Sequence, residues 1–248
     1  MTSTENPTTA VTTRTTVVPS RLVALGVPVV AIAVALVLGV LVAWLGLSSR
    51  ALICSDLAMS PTIFGNDEVH ANMVRYGLRL PVFGAVLSGT TPKRGDVVVV
   101  ARPAQTQQHV VRRVIAIEGD TVRVYEDGSV DLQGKPLTVC AMGKFPANRD
   151  PNRVADGMEA FTEWMGHQSY VVLLGANHQK APYCSDSPCV VPSGHVFVLG
   201  DNRMLHDDSR RWGFVATSLV TGLVTDARSH ADLESRKVCL QQASAQGN

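Results

Sequence analysis

The sequence predicts a mostly β domain preceded by a single transmembrane helix. The apolar run from Leu22 to Leu47 contains no charged residue and exceeds the roughly 20 residues that a helix needs to cross a bilayer. Beyond it, short runs rich in Val, Ile and aromatic residues are separated by Gly, Pro, Asn and Asp, as expected for strands joined by turns. The formal net charge of +1 gives no general attraction for nucleic acid, so none is expected as a partner.

The N-terminal region divides into a tail and a membrane anchor. Residues 1–20 are rich in Thr and Pro and predict a disordered tail, and residues 21–48 predict the transmembrane helix. A cleaved signal peptide is the alternative, but the apolar run is longer than the usual apolar core of such a peptide. Arg14 and Arg21 precede the run and Arg50 follows it, a weak bias toward a cytoplasmic N-terminus. We therefore expect a single-pass protein of the cytoplasmic membrane with its main domain outside.

The main domain is predicted at residues 49–228 and consists of short strands. The strongest strand signals are uninterrupted β-branched or aromatic runs, at 97–100, 110–111, 170–174, 196–199 and 219–224. The turn residues Asp127 and Gly128 lie between strand-like pieces at 122–125 and 130–132, which predicts a meander of hairpins.

Two segments lack a clear strand pattern. The polar stretch from Gly143 to Glu159 predicts an irregular inserted lobe at about 138–168. Residues 229–248 are charged and then rich in Gln, Ser and Ala, which indicates a loosely held C-terminal tail.

The five cysteines bear on the compartment of this domain. Cys184 and Cys189 bracket a short loop and could close a disulfide, which would fit an oxidising exterior. Metal binding is the alternative, but no Cys/His cluster with zinc spacing lies nearby, and no metal is expected. Cys140 and Cys239 could form a second bridge and leave Cys54 unpaired. It stays open at this point whether all five are instead reduced and buried.

Four short blocks of sequence follow the apolar run. They read Ala-Met-Ser-Pro-Thr at 58–62, Arg-Gly-Asp-Val-Val at 94–98, Val-Arg-Arg-Val-Ile-Ala-Ile-Glu-Gly-Asp at 111–120, and Gly-Asp-Asn-Arg at 200–203, continuing through 208–214. Each alone is a weak signal, but in this order behind an anchor they resemble bacterial type I signal peptidases over about residues 50–227. The resemblance implies twisted antiparallel sheets, a Ser–Lys catalytic dyad, no cofactor, and cleavage of exported proteins after small residues.

The same resemblance implies that the catalytic centre is degenerate. The nucleophile position falls on Ala58, whose methyl group cannot attack a carbonyl, and the general-base position on Arg112, which has no accessible neutral form. The hydroxyl that orients the base falls on His206. Asp56 lies where a Ser or Gly normally assists the oxyanion hole, and its carboxylate would repel the developing charge. We expect a pseudoenzyme in which Asp56 and Arg112 face each other within the ion-pair distance of about 4 Å.

The blocks also retain residues that suit a binding role. Met59, Ser60 and Pro61 are predicted to shape the floor of a cleft that binds an extended peptide by strand addition. Seven further polar or turn residues are expected to brace the fold: Gly200, Asp201, Asn202, Arg203, Asp208, Ser209 and Arg210. The predicted function is binding of signal peptides or exported preproteins at the membrane, or partnership with an active signal peptidase paralogue.

Two other functions are open from the sequence. One is an active signal peptidase with a relocated nucleophile, Ser60, and His206 as its base, since histidine is poised for proton transfer near neutral pH. In an extended segment, Ser60 would point the same way as Ala58, about 6 to 7 Å further along. The other is a membrane-tethered structural or assembly factor that no longer uses the cleft.

Overall fold

The computed structural model describes residues 29–41, 49–54, 56–79, 86–87, 89–145, 158–175 and 181–226. The chain divides into two units, Met1–Leu45 and Gly46–Asn248. In the first unit, residues 29–41 are helical and their apolar side chains are exposed. Among the described residues, no helix combines the length and apolarity needed to cross a membrane. The remainder of the predicted anchor, together with both predicted tails, lies outside the described residues.

The described part of the second unit is built almost entirely of strands. In chain order they are β1 (Ser49–Ile53), β2 (Glu68–Asn72), β3 (Leu78–Arg79), β4 (Val86–Leu87), β5 (Val97–Arg102), β6 (Gln105–Ile117), β7 (Thr121–Val124), β8 (Val130–Leu132), β9 (Lys135–Pro136), β10 (Thr138–Lys144), β11 (Glu159–Met165), β12 (Gln168–Leu174), β13 (Cys189–Val190), β14 (His195–Leu199), β15 (Val215–Ala216) and β16 (Val220–Val224). A short α-helix, Ser209–Trp212, and a 3₁₀ turn, Thr217–Leu219, lie between β14 and β16.

The largest sheet has the strand order β1-β2-β16-β5-β6-β14-β15, with antiparallel neighbours throughout. Its centre is the β5–β6 hairpin, because the valine run of β5 is buried on both faces and β-branched residues pack well on a pleated surface. In this hairpin Val98 pairs with Arg112 and Val97 with Arg113. Successive side chains on a strand point to opposite faces, so Arg112 and Arg113 lie on opposite faces of the sheet and contact different residues.

Two smaller sheets complete the core. One has the order β13-β7-β8-β9 and the other β10-β11-β12. A cluster of buried apolar side chains, which includes Ile115, Val122, Val172 and Phe197, joins both to the largest sheet. The strands predicted at 97–100, 110–111, 170–174 and 196–199 are confirmed, and the run at 219–224 forms β16 from Val220 onward. The predicted hairpin between β7 and β8 is also confirmed.

Within the predicted lobe at about 138–168, the described residues form strands, and residues 146–157 lie outside the described residues. The strands β10 and β11 are regular and pair antiparallel, with one bulge between Ala141 and Gly143. The strand β11 itself was not predicted, because it buries Thr162 and Glu163, which breaks the alternation of apolar and polar residues typical of a half-buried strand.

The cysteine pairing is largely described. Cys184 and Cys189 form a disulfide, with their Cα atoms 5.3 Å apart, so the alternative of five reduced cysteines is wrong. Cys140 is also disulfide-bonded, and Cys239, its expected partner, lies outside the described residues. Cys54 is a buried free thiol, and burial together with the nearby Asp56 carboxylate raises its pKa to about 11. The Cys54 thiol is therefore protonated near neutral pH.

Candidate functional site

Ala58 lies in a series of tight turns between β1 and β2. Ser60 N–H donates to the Leu57 carbonyl at 3.3 Å and Thr62 N–H to the Met59 carbonyl at 2.8 Å. The segment is therefore not extended, and the expectation that Ser60 lies further along a strand from Ala58 is wrong. As a result of this packing, Ala58 is only 2% exposed.

The fourth block closes over this turn. Asn202 N–H donates to the Ala58 carbonyl oxygen at 2.9 Å. Gly200 packs against the same carbonyl so closely that a Cβ atom there would collide with it. A glycine is thus required at position 200 by the approach of two backbones.

Arg112 is bound by two carboxylates. Its side chain is fully buried, and its Nη1 donates to Asp56 Oδ2 at 2.7 Å. The same guanidinium donates from Nη2 to Asp207 Oδ2 at 3.1 Å and from Nε to the Asp207 carbonyl at 2.7 Å. The predicted ion pair between Asp56 and Arg112 is confirmed, and a second carboxylate completes it.

Asp56 also binds the backbone of Ala58. Ala58 N–H donates to Asp56 Oδ1 at 3.1 Å. The carboxylate therefore bridges the amide of Ala58 and the guanidinium of Arg112. Both donors are engaged by a negative charge that belongs to the protein itself.

Asp207 and Trp212 also contact the Arg112 guanidinium, and neither was predicted from the sequence. Asp207 Oδ1 accepts from Trp212 Nε1 at 3.2 Å and from the Arg102 guanidinium. The guanidinium carbons of Arg102 and Arg112 lie 5.5 and 5.4 Å from the centre of the Trp212 ring, within the reach of cation–π attraction. Trp212 belongs to the fourth block and Asp207 directly precedes its second part, and the pair of carboxylates at 207 and 208 was the available signal.

His206 and Ser60 do not form a nucleophile–base pair. Ser60 is fully buried, and its Oγ has no hydrogen-bond partner among the described residues. His206 is half-buried, and burial together with the Arg210 charge lowers its pKa. The imidazole is therefore neutral near pH 7, but it does not contact the Ser60 hydroxyl.

The predicted cleft residues form core rather than surface. Met59 and Ser60 have no exposed surface, and Pro61 is buried beside them. A cavity of about 60 Å³ lies instead between β1 and the β5–β6 hairpin; we call it the Asp56 cavity. Its lining is mostly apolar and consists of Leu52, Ile53, Cys54, Asp56, Val99, His109, Val110 and Val111.

Arg113 and Asp201 tie three of the sequence blocks together. Arg113 donates to Asp201 from Nε at 2.8 Å and from Nη2 at 2.7 Å, and Thr62 Oγ1 donates to the same carboxylate. Burial alone lowers the pKa of Arg113, but the Asp201 charge outweighs it, and the net shift is upward. The expected bracing role of Asp201 is supported by these contacts.

The remaining polar residues of the fourth block are also bound within the fold. Asp208 Oδ1 accepts from Arg210 N–H at 3.1 Å and so caps the short helix, while its Oδ2 accepts from Gly200 N–H at 3.0 Å. Ser209 Oγ accepts from Val198 N–H at 3.0 Å. Arg203 Nη2 donates to Glu163 Oε1 at 2.6 Å. In the described part of the chain, no group of three or more His, Cys, Asp or Glu side chains is arranged to hold a metal ion.

Antiparallel sheets, in which hydrogen bonds and buried ion pairs connect the sequence blocks around Ala58, agree with the peptidase scaffold that these blocks predict. The chain belongs to the signal peptidase family, peptidase S26, whose family model matches residues 25–226.

Similar proteins carry the same description. The chain is 31% identical to the signal peptidase I of Pseudomonas fluorescens over 156 residues, which cover 62% of this chain and 52% of that protein. It is 28% identical to the signal peptidase I of Pseudomonas aeruginosa, with the same coverage of 62% and 52%. The chain thus spans about half the length of these curated relatives. A crystal structure of a signal peptidase I from Enterococcus faecalis matches with 27% identity and a TM-score of 0.34, covering 55% of this chain and 98% of that chain.

Proposed function

We propose that this protein is a catalytically inactive member of its family that binds signal peptides or exported precursors, by itself or beside an active signal peptidase. One observation carries the proposal. The buried guanidinium of Arg112 occupies the base position and is bound by Asp56 and Asp207 next to Ala58.

Neither half of a catalytic dyad is present at this position. Acyl transfer needs a hydroxyl or thiol that loses its proton to a neighbouring base. Ala58 has no such group. Arg112 carries five N–H donors but cannot accept a proton, because its guanidinium stays charged in proteins.

Asp56 further opposes catalysis by its charge. An oxyanion hole works because its donors wait for a negative charge that appears only in the transition state. Here Asp56 presents a carboxylate to the Ala58 amide and to Arg112 in the resting protein. The donors are therefore already satisfied and stabilise no additional charge on a substrate.

The surface beside this centre supports peptide binding. Within the described residues, β1 is an end strand of the largest sheet, and Ile53 on it is 73% exposed. The unpaired backbone groups of an end strand can pair with an added extended peptide. The Asp56 cavity adjoins β1 and is about 60 Å³ in volume, which fits a small apolar side chain.

The location follows from the same reasoning. The apolar run that ends at Leu47 supports a single membrane anchor. The disulfide between Cys184 and Cys189 fits an oxidising compartment outside the cytoplasmic membrane. A cytoplasmic N-terminus and an extracytoplasmic β domain agree with both observations.

The alternatives have less support. A relocated nucleophile at Ser60 needs exposure to substrate and a base within hydrogen-bond reach, and the buried, unpartnered Ser60 hydroxyl has neither. A purely structural factor needs no substrate cleft, whereas this protein has a cavity with a mostly apolar lining next to Asp56.

A cleavage assay tests the proposal. The full chain in detergent is incubated with a fluorogenic signal-peptide substrate, beside the variants Ala58→Ser/Arg112→Lys and Ser60→Ala. We expect no cleavage by the native chain, and saturable binding of the uncleaved peptide measured by fluorescence anisotropy. Cleavage by the native chain that Ser60→Ala abolishes contradicts the proposal, and absence of peptide binding removes its second half.

A further inference from the structure

A second cavity lies on the far side of Asp207 from Arg112. It has a volume of about 260 Å³ and is lined by Arg102, Ala104, Gln105, Asp207, Arg211 and Trp212; we call it the Arg211 pocket. Asp207 separates this pocket from the Arg112 centre, by which we mean Arg112 with its partners Asp56 and Asp207. Its Oδ2 accepts from Arg112 Nη2 at 3.1 Å, while its Oδ1 accepts from Trp212 and Arg102 on the pocket side.

The pocket has an excess of positive charge that no described residue neutralises. Its lining contains two guanidinium groups and one carboxylate, a formal charge of +1. The Asp207 carboxylate is already shared between Arg102, Arg112 and the Trp212 indole. Arg211 is exposed, and its side chain makes no hydrogen bond or ion pair with any described residue. Arg211 is therefore the cation available to a ligand.

The two cavities are one side chain apart. Arg112 Nη1 contacts Asp56, which lines the Asp56 cavity, and Arg112 Nη2 contacts Asp207, which lines the Arg211 pocket. Both cavities also border the same β5–β6 hairpin. An extended peptide advances about 3.3 Å per residue, so a chain seated in the Asp56 cavity reaches the Arg211 pocket within a few residues.

We infer that the Arg211 pocket binds the acidic side chain of a polypeptide held in the Asp56 cavity, with Arg211 as its main partner. The inference rests on the proposed peptide-binding function and adds an acidic-residue preference to it. The planar guanidinium group matches a carboxylate in two parallel hydrogen bonds, and the Gln105 side chain at the pocket wall offers further amide donors.

The composition of the pocket favours a carboxylate over a phosphate. A ligand with a single negative charge balances the formal charge of +1 in the lining. A doubly charged phosphate group would leave an excess negative charge close to Asp207, and like charges at such distances repel. The proximity to the Arg112 centre favours a polypeptide carboxylate over that of a free small molecule.

A paired peptide scan tests the inference. Extended peptides with a central Ala-Val-Ala segment carry one Glu at successive flanking positions, and each has a partner with Gln at that position. Binding to the full chain in detergent is measured by fluorescence anisotropy. We expect one position at which Glu binds roughly three- to tenfold tighter than Gln, as for a partly exposed charge pair.

Two variants locate the preference. Arg211→Gln abolishes the difference between the Glu and Gln peptides, whereas Arg75→Gln, at another exposed arginine of the domain, leaves it unchanged. The inference is overturned if Glu and Gln peptides bind equally at every position, or if Arg211→Gln keeps the preference. It is also overturned if Arg211→Gln weakens binding to phosphatidylglycerol vesicles without affecting the peptides, because the ligand is then a lipid phosphate.

A probe without a peptide backbone separates this inference from the proposed function. Propionate, a monocarboxylate, is titrated into the ¹⁵N-labelled full chain, and the indole N–H signal of Trp212 is followed, assigned with Trp212→Phe. A shift that Arg211→Gln removes and Arg75→Gln retains supports the pocket even if no signal peptide binds, in which case the proposed function alone fails. Equal shifts in the native chain and Arg211→Gln overturn the pocket.

Discussion

Asp56 Oδ2 lies 2.7 Å from Arg112 Nη1, and the two side chains form an ion pair next to the Ala58 amide. The pairing explains why both residues occur together. A buried arginine without a carboxylate is costly, and removal of one partner of a buried pair typically costs about 3–5 kcal/mol. The carboxylate of Asp56 therefore stabilises the fold at the centre that we propose to be inactive.

Asp56→Asn is expected to destabilise the domain. Asp207 remains as an anion near Arg112, but it is shared with Arg102, and Asp56 itself is 28% exposed. We therefore expect the free energy of unfolding to fall by roughly 1–3 kcal/mol, below the full cost of breaking a buried pair. Urea unfolding followed by tryptophan fluorescence measures the change.

Glu126→Gln is the matched control for this variant. Glu126 is exposed and has no ion pair with any described residue, so its replacement should alter stability by no more than about 0.5 kcal/mol. Equal stabilities of the Asp56→Asn and Glu126→Gln variants would show that the Asp56–Arg112 pair does not stabilise the fold.

Restoration of peptidase activity near neutral pH is expected to require the removal of Asp56. In Ala58→Ser/Arg112→Lys, the new lysine faces the Asp56 and Asp207 carboxylates, and nearby negative charges raise the pKa of a lysine. The lysine must be neutral to act as a base, so this variant should cleave only at alkaline pH. Adding Asp56→Ser lowers the lysine pKa, and the rise of the pH–rate profile should move to lower pH.

The profile of kcat/KM against pH for a fluorogenic signal-peptide substrate measures this effect. Ala58→Ser/Arg112→Gln, which lacks any base, is the control and should stay inactive across the range. If the two lysine variants show the same profile, the Asp56 carboxylate does not govern the protonation of position 112.

The sequence predicted the strands of the largest sheet because their signals are local. The valine run of β5 and the apolar run of β14 are buried on both faces, so composition alone identifies them. The strand β11 escaped prediction because it buries Glu163 against Arg203 and Tyr170, a contact between distant parts of the chain. A charged residue such as Glu163 normally indicates a loop or an exposed position, because its buried partners are distant in the sequence.

The sequence motifs located several residues of the candidate site, but they did not predict the orientation of each side chain. Asp56 and Arg112 follow from their places in the blocks. Asp207 and Asp208 are neighbours with different surroundings: Asp207 turns to Arg102 and Arg112, and Asp208 turns to Arg210 and Gly200. Only the fold decides which carboxylate meets which arginine.

Ser60→Ala is expected to raise stability slightly. The Ser60 hydroxyl is fully buried and has no hydrogen-bond partner in the described part of the chain, and an unsatisfied buried polar group costs about 1–3 kcal/mol. Because the removed oxygen leaves a small void, we expect a net gain of up to about 1 kcal/mol. Thermal unfolding of the two proteins compares them.

Ser209→Ala provides the contrast for Ser60→Ala. Ser209 is equally buried, but its Oγ accepts a hydrogen bond from Val198 N–H at 3.0 Å. Its removal leaves a buried amide unpaired, and we expect a loss of roughly 1–2 kcal/mol. A loss of similar size in Ser60→Ala would indicate that the Ser60 hydroxyl has a partner.

Asp208→Asn is expected to reduce stability at neutral pH and to flatten its dependence on acid. Burial by itself raises the pKa of Asp208, but the charge and hydrogen bonds of Arg210 outweigh it, so the pKa lies below its ordinary value. The unfolded chain takes up this proton at about pH 3.9, before the folded protein does. The stabilisation is therefore complete above about pH 4 and is lost as the pH falls toward the lower folded pKa.

Urea unfolding at several pH values between 6 and 3 measures both effects. At pH 6 we expect Asp208→Asn to lose roughly 3–5 kcal/mol, because Arg210 remains buried without its carboxylate. Below about pH 4 the native chain should lose stability more steeply than the variant, since only the native chain carries this titrating group. Asp127→Asn, at an exposed turn carboxylate, should follow the native slope. Parallel curves for the native chain and Asp208→Asn would mean that the low pKa of Asp208 does not contribute to folding.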